Sequence, residues 1–123
     1  MPSININNHE MYYEIHGEGD PAVCMGGWGT FCHGNEGLLA RGLTDKYQVL
    51  VFDYRGIADS TDDPSIEPSM RMHAEDLTGL LDHLGWSNVH LIGLVGMGCC
   101  VAQEIAINRP DLVRSMVNMG AWA

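Results

Sequence analysis

Basic side chains are scarce in this sequence, and long apolar runs are absent from it. Six Lys and Arg stand against sixteen Asp and Glu, which gives the 123-residue chain a formal net charge of -10. Such a charge repels phosphate backbones and anionic membrane surfaces, so we expect no nucleic-acid partner and no membrane association. No stretch reaches the ~18 consecutive apolar residues of a membrane helix, and no basic segment precedes an apolar one at the N-terminus. A cytoplasmic protein is therefore expected.

Cysteine is sparse, and its spacing is not that of a disulfide framework or a redox motif. The chain has 4 cysteines and no Cys-x-x-Cys pair. An intracellular chain of this size has little need of disulfides. We therefore expect reduced, mostly buried thiols at Cys24, Cys32, Cys99 and Cys100.

Signals for a metal or a cofactor are also missing. The 6 histidines are scattered singly, without the His-x-x-x-His spacing of a metal site, so no metal is expected. Gly93, Gly96 and Gly98 invite a dinucleotide interpretation, but their spacing is the reverse of Gly-x-Gly-x-x-Gly. Tight packing explains these glycines equally well, and we expect no cofactor.

What the sequence does contain is the pattern of one α/β domain spanning residues 1–123. The stretches "SININN" and "MYYEIHG" alternate as a β-hairpin does, whereas "AVCMGG", "YQVLVFDYRG", "VHLIGL" and "VRSMVNMG" are apolar enough for central strands. Helical patterns lie between them, around Leu38, Leu39 and Leu43, in "SMRMHAEDLTGLLDHLG" and in "GCCVAQEIAINRPD". This order predicts a mostly parallel, twisted sheet of about six strands with helices on both faces.

Three of these stretches, in this order and at these spacings, resemble the α/β-hydrolase family over essentially the whole chain. "VCMGGWGT" is similar to the strand and loop that supply one oxyanion-hole amide, with Gly26 where His is usual. "FDYRGIADS" resembles the Asp-x-Arg-Gly-x-Gly-x-Ser loop, with Ala58 at the second glycine. "HLIGLVGMGCCVAQEIA" resembles the strand, nucleophile elbow and helix. The resemblance implies an α/β-hydrolase-like core and a hydrolase ancestry.

The elbow of this family has the form Gly-x-Ser-x-Gly, and here its nucleophile position holds no nucleophile. Alignment from the helix side places Gly96 there, and alignment from the strand side places Val95 there with one residue inserted. Neither residue offers an attacking oxygen or sulfur. The resemblance implies that the backbone amides of Trp28 and Met97 form the oxyanion hole.

Few other side chains near this strand–helix junction are candidates for a role in catalysis or substrate binding. Cys99 and Cys100 lie where a helix N-terminus stabilises a thiolate, yet they follow the elbow by three residues or more, and burial at a tight contact explains them more simply. His33 is either a base close behind the glycine loop or a solvent-facing loop residue. We expect a substrate to face Gly27, Trp28, His33 and Val95.

The loop after the second apolar strand contains Asp53 and Arg55, at a strand end of the kind where α/β sites gather. The resemblance implies a mainly structural loop, in which these two residues hold neighbouring turns together. We favour that interpretation over a catalytic one.

The resemblance also implies two further strands, a cap, and the catalytic acid and His, none of which can be identified before Ala123. Without a base, nucleophilic catalysis loses about 100-fold or more. We therefore expect a protein derived from an ester or related acyl hydrolase, inactive as a lone chain. The alternatives are a non-catalytic module that binds a small apolar molecule or a protein, and an inactive truncated product.

The last predicted strand, within residues 113–120, would form an uncovered edge of the sheet. It carries Met116, Val117 and Met119. Because an open apolar edge invites pairing with another strand, we expect a homodimer or a complex with a complementing chain.

Overall fold

The computed structural model of the chain describes residues 3–26, 42–57, 60–62, 65, 67, 69–94 and 96–119. These residues form six strands, two α-helices, and two single turns of 3₁₀ helix at Leu43–Asp45 and Pro110–Leu112. The strands and helices are β1 (Ser3–Ile6), β2 (His9–His16), β3 (Asp20–Met25), β4 (Tyr47–Phe52), α1 (Met70–Leu84), β5 (Val89–Gly93), α2 (Gly96–Asn108) and β6 (Val113–Asn118).

The predicted hairpin is present at the start of the chain. Its two turn residues, Asn7 and Asn8, have φ of 47° and 67°. Asparagine adopts this left-handed conformation more readily than most residues, which suits a two-residue hairpin turn. Ile6 pairs with His9 immediately beyond the turn, so β1 and β2 are antiparallel.

The six strands form one sheet in the order β1-β2-β4-β3-β5-β6. β2 pairs with β4 antiparallel, whereas β3 pairs in parallel with β4 and β5, and β5 pairs in parallel with β6. The predicted sheet of about six mostly parallel strands is confirmed. This order places β3 beside β5, so the ends of these two strands lie next to each other.

One face of the sheet is covered by α1 and α2. The Ser69 hydroxyl caps α1 by accepting a hydrogen bond from the Met72 amide at 3.0 Å, and Gly85 ends the helix with a φ of 71°. The apolar residues predicted to face the core are buried there with strand residues and with α2. The core includes Val23, Met25, Leu50, Leu77, Leu80, Leu81, Leu91, Val101 and Ile105.

The opposite face carries a second cluster of buried residues on β2, β3 and β4, namely Tyr12, Ala22, Cys24, Val49 and Val51.

The helix predicted around Leu38, Leu39 and Leu43 lies outside the described residues, except that Leu43 begins a single turn of 3₁₀ helix. In the parts of the chain that the structure describes, no helix is long and apolar enough to cross a bilayer.

Candidate functional site

The elbow predicted from the sequence lies where β5 leads into α2, beside the end of β3. Met25 and Gly93 are partners in the parallel ladder of β3 and β5. The Leu94 amide then donates to the Met25 carbonyl over 3.0 Å, and α2 begins at Gly96. We call this junction, residues 25–26, 93–94 and 96–99, the corner. It is at the carboxyl ends of parallel strands, the edge where binding sites of open α/β sheets gather.

Gly98 brings the first turn of α2 against the end of β3. A Cβ atom on Gly98 would lie 2.2 Å from the carbonyl oxygen of Met25 and 3.0 Å from that of Gly26. Both obstacles are backbone atoms, so no side-chain rotation relieves the clash. Only glycine allows the helix to approach the strand this closely.

Gly93 makes a second close contact of the same kind on the strand side. Its Cβ would lie 2.9 Å from the backbone N and Cα of Cys99 and 2.8 Å from Asn118 Oδ1. Gly93 and Gly98 are therefore the two glycines that let strand and helix pack together. Four residues separate them, whereas Gly-x-Ser-x-Gly has three between its glycines. The strand-side alignment is anchored at Gly93 and the helix-side alignment at Gly98, and each of these glycines makes a close backbone contact. The extra residue lies between these two glycines.

None of the four residues between these glycines carries a nucleophile; they are Leu94, Val95, Gly96 and Met97. Gly96 opens α2, two residues earlier than the helix predicted from the sequence, and the Met97 side chain is buried in the core. The amides of both residues belong to the first helical turn, whose N–H groups have no partner within the helix. Oxyanion binding by these amides stays a prediction, and the side chains of the four residues between the two glycines offer no attacking oxygen or sulfur.

The other residues predicted to bind substrate, Gly27, Trp28, His33 and Val95, lie outside the described residues. The oxyanion role of the Trp28 amide and the roles of His33 and Val95 therefore stay predictions.

Cys99 is fully buried, and its thiol faces the sheet. The Sγ atom lies 3.5 Å from the Gly93 carbonyl oxygen and 3.4 Å from that of Met119. This placement favours packing over nucleophilic attack for Cys99. Cys100 is partly exposed, while burial raises the pKa of the Cys24 thiol to about 11. Cys24, Cys99 and Cys100 are free cysteines.

Tyr54 contacts the corner, and the sequence analysis missed it. Its ring is buried, and its hydroxyl donates a hydrogen bond of 2.8 Å to the Gly26 carbonyl at the end of β3. Burial, assisted by the nearby Cys99, raises the pKa of the Tyr54 phenol well above its ordinary value. The hydroxyl therefore stays protonated and remains a donor. The available signal was a tyrosine two residues after a buried strand, because a buried phenol needs a hydrogen-bond partner.

Arg55 forms a buried ion pair with Asp76, in the middle of α1. Its Nε donates to Asp76 Oδ2 over 3.0 Å and its Nη2 to Asp76 Oδ1 over 2.9 Å. The second nitrogen also donates to the Asn7 carbonyl over 2.8 Å, and the Asn7 amide donates to Asp76. Arg55 therefore ties the loop after β4 to α1 and to the β1–β2 turn, which agrees with a structural role.

The same loop is also fixed to β2. The Ser60 hydroxyl donates to the Asp53 carbonyl over 2.7 Å and accepts from the Tyr12 amide over 2.9 Å. One residue further on, the Thr61 amide donates to the Glu10 carbonyl over 2.9 Å. Hydrogen bonds to α1 and to β2 thus fix this loop, which holds Tyr54 against the end of β3.

Nothing in the described ranges groups three or more His, Cys, Asp or Glu side chains in a way that could hold a metal ion.

Comparison with known proteins agrees with this geometry. The sequence profile of the alpha/beta hydrolase fold matches residues 15–123. A putative carbamate hydrolase RutD from Azorhizobium caulinodans is 32% identical, over 100% of this chain and 45% of that protein. A 2-hydroxy-6-oxononadienedioate/2-hydroxy-6-oxononatrienedioate hydrolase from Pseudomonas putida is 36% identical, over 90% of this chain and 40% of that protein.

Solved structures match the fold as well. The epoxide hydrolase CorEH superposes with a TM-score of 0.87 at 29% identity, covering 98% of this chain and 41% of the enzyme. A thermophilic esterase from Thermogutta terrifontis gives a TM-score of 0.83 at 27% identity, covering 100% of this chain and 47% of the esterase. The chain thus spans less than half the length of the relatives named here. With its six-stranded sheet, its glycine corner and a profile match over residues 15–123, the chain belongs to the α/β-hydrolase fold family.

Proposed function

We propose that this chain carries the carbonyl-binding part of a site derived from an ester or related acyl hydrolase, and that it performs no covalent catalysis by itself. The observation that carries the proposal is the corner: Gly93 and Gly98 keep strand and helix in close contact, while the residues between them lack a nucleophile. The corner therefore retains amides that can polarise a carbonyl group.

Named hydrolases of carbamates and of oxo-dienedioates among the relatives support a small carbonyl compound as the ligand. Ester and carbamate carbonyls develop negative charge on oxygen when they are attacked, and a first helical turn with free amides stabilises that charge. An acyl-enzyme intermediate needs an attacking side chain, and the residues between Gly93 and Gly98 supply none. We therefore assign binding and polarisation of the carbonyl to this chain, without acyl transfer.

Incubation of the purified chain with a fluorophosphonate probe and with p-nitrophenyl acetate tests this proposal. We expect neither probe labelling nor ester hydrolysis above the buffer rate, because the corner offers no attacking oxygen. Thiol reactivity is followed in parallel with iodoacetamide, and the matched variants are Cys99→Ala and Cys100→Ala. Hydrolysis that disappears in one of these variants, together with labelling at the same cysteine, would show that a thiol replaces the missing serine and would overturn the proposal.

The edge of the sheet supports a second proposal, namely that another strand pairs with β6. Among the described residues β6 pairs with β5 alone, and Met116, Val117 and Met119 are 40%, 54% and 49% exposed. Beside the edge lies a groove of about 320 Å³ lined by Ala22, Leu43, Tyr47, His90, Ile92, Ser115 and Val117. The non-catalytic alternative would use this groove for a small apolar molecule. For the isolated chain we propose a second copy as the partner at this edge, because a free apolar edge strand pairs readily.

Light scattering on the chain at micromolar concentration tests the pairing. We expect a dimer for the native sequence and a monomer for Val117→Lys, because a charge on an edge strand blocks strand addition. The control is Ile107→Lys on α2, whose side chain is 75% exposed and which does not belong to the edge strand. A native chain that runs as a well-folded monomer contradicts self-pairing, and so does a dimer that survives Val117→Lys.

A further inference from the structure

A buried cluster of titratable side chains lies between β2 and α1, below the corner. Its centre is the ion pair of Arg55 and Asp76, whose side chains are 2% and 4% exposed. His9 on β2 and His73 on α1 complete the cluster, and each of these residues is 2% exposed. Two histidines thus lie next to an arginine that is held by its ion pair, in a part of the core with almost no solvent exposure.

Burial is the main cause that lowers the pKa of both histidines. The carboxylates of Asp76 and Asp62 act in the opposite direction and favour the charged form, while the Arg55 guanidinium opposes it. The two imidazoles also interact electrostatically, since His9 further lowers the pKa of His73. For His9, no described residue meets the geometry of a full hydrogen bond to either ring nitrogen, and the Ile6 backbone favours its protonation only weakly. Both rings are therefore neutral near pH 7.

Tyr54 connects this cluster to the corner. The edge of one ring faces the other in the Tyr54–His73 pair, with centroids 5.2 Å apart and planes at 70°. At its other end, the Tyr54 hydroxyl holds the Gly26 carbonyl at 2.8 Å. That carbonyl and the neighbouring one of Met25 are the atoms against which Gly98 packs. A continuous series of contacts thus leads from His73 through Tyr54 to the start of α2.

Protonation of His73 would change the forces at the first of these contacts. A charge on the His73 imidazole acts on the quadrupole of the Tyr54 ring, and the same charge is repelled by Arg55 in a region of low dielectric constant. The phenol ring and its hydroxyl are one rigid group, so a displacement of the ring also moves the hydroxyl. Close packing of the interior leaves this group few other positions. The carbonyl held by that hydroxyl must then shift or lose its hydrogen bond.

We propose that Tyr54 is a positioning residue of the corner, which transmits the protonation state of the His9–His73 pair to the Gly26 carbonyl and so to the backbone that contacts Gly98. The proposal rests on the proposed function only in treating the corner as a carbonyl-binding site. The sign of the pH dependence follows from the histidines. Since the folded chain favours their neutral forms, the stability they contribute is present above about pH 6.5 and is lost as the pH falls through their lower folded values.

Two-dimensional ¹H–¹⁵N NMR of the 123-residue chain, titrated from about pH 8 to pH 5, tests the connection. The amides of Leu94 and Gly98 report on the corner, and the ring signals of His9 and His73 report on protonation. We expect the corner amides of the native chain to shift with the same midpoint as the His73 ring. In Tyr54→Phe, which lacks the hydroxyl, most of this corner shift should disappear while the His73 ring still titrates.

The control is His83→Gln, which removes an exposed histidine from the last turn of α1 and should leave the corner titration unchanged. If Tyr54→Phe does not fold, His73→Asn removes a titrating ring but keeps the tyrosine hydroxyl, and it should suppress the corner shift equally. Corner amides that stay still while the native His73 ring titrates overturn the proposal. An undiminished corner shift in Tyr54→Phe or in His73→Asn does so as well. The measurement uses no substrate, so its failure is distinguishable from failure of the proposed function, which labelling or hydrolysis reveals.

Discussion

Replacing Gly98 by alanine is expected to lower the free energy of unfolding by about 3 kcal/mol, a cost typical of overpacking at a rigid contact. The added Cβ would lie 2.2 Å from the Met25 carbonyl oxygen and 2.9 Å from its carbonyl carbon. These atoms belong to β3, which is hydrogen-bonded on both sides by β4 and β5, so they cannot move aside independently. Alanine is a better helix former than glycine by about 1 kcal/mol, and the clash must outweigh that gain. Urea unfolding followed by circular dichroism measures the difference.

Gly79→Ala is the matched control for this substitution. Gly79 also lies in an α-helix, but the nearest atom to its added Cβ is a methyl group of Ile6, at 3.0 Å. A side-chain methyl can yield, so we expect a change within about 1 kcal/mol, the helix-propensity difference itself. If the two alanine variants prove equally stable, α2 does not approach β3 as closely as the structure shows.

Removal of the Asp76 carboxylate is expected to cost about 3–5 kcal/mol, the range for breaking one partner of a buried ion pair. In Asp76→Ala, the Arg55 guanidinium loses two hydrogen bonds, of 3.0 Å and 2.9 Å, while it remains 2% exposed. The Asn7 side chain loses an acceptor at the same time. The variant is therefore expected to unfold at a much lower urea concentration. The measurement is the shift in the midpoint of its urea unfolding curve.

Glu75→Ala provides the comparison on the adjacent residue of α1. Glu75 pairs with Arg71 at 3.3 Å, but these side chains are 63% and 69% exposed. An exposed pair of this kind contributes about 0.5 kcal/mol or less, and added salt weakens it further. Similar losses in the two variants would mean that Asp76 is no more important than a surface carboxylate. A double variant, Arg55→Met with Asp76→Leu, should recover part of the stability because no unpaired charge is left buried.

The order of elements followed from the sequence because its signals are local. Alternation between polar and apolar residues marked the hairpin, and the apolar stripe containing Leu77, Leu80 and Leu81 marked α1. His73 and Asp76 lie on the same helical face, four residues before Leu77 and Leu80, but their polarity argued against burial. Their burial depends on Arg55, which arrives from a loop 21 residues away. A contact of this range follows from the packing of α1 against the loop, which no local pattern encodes.

The corner was predicted only in part for a similar reason. Sequence alignment from either side identified one glycine correctly, Gly93 from the strand and Gly98 from the helix. What makes each glycine necessary is a backbone group of another element, the Met25 carbonyl for Gly98 and the N and Cα atoms of Cys99 for Gly93. Tyr54 was missed because its partner, the Gly26 carbonyl, lies 28 residues away in the chain.

The four residues between Gly93 and Gly98 have a consequence for the ancestry of the corner. Each residue added to an α-helix turns the following side chains by about 100°, so an insertion changes the direction in which a side chain points, as well as its identity. A serine codon placed at Gly96 or at Val95 would therefore supply a hydroxyl without the geometry of Gly-x-Ser-x-Gly. If the corner derives from a Gly-x-Ser-x-Gly elbow, a substitution to serine alone does not restore that motif, because its spacing requires a deletion as well.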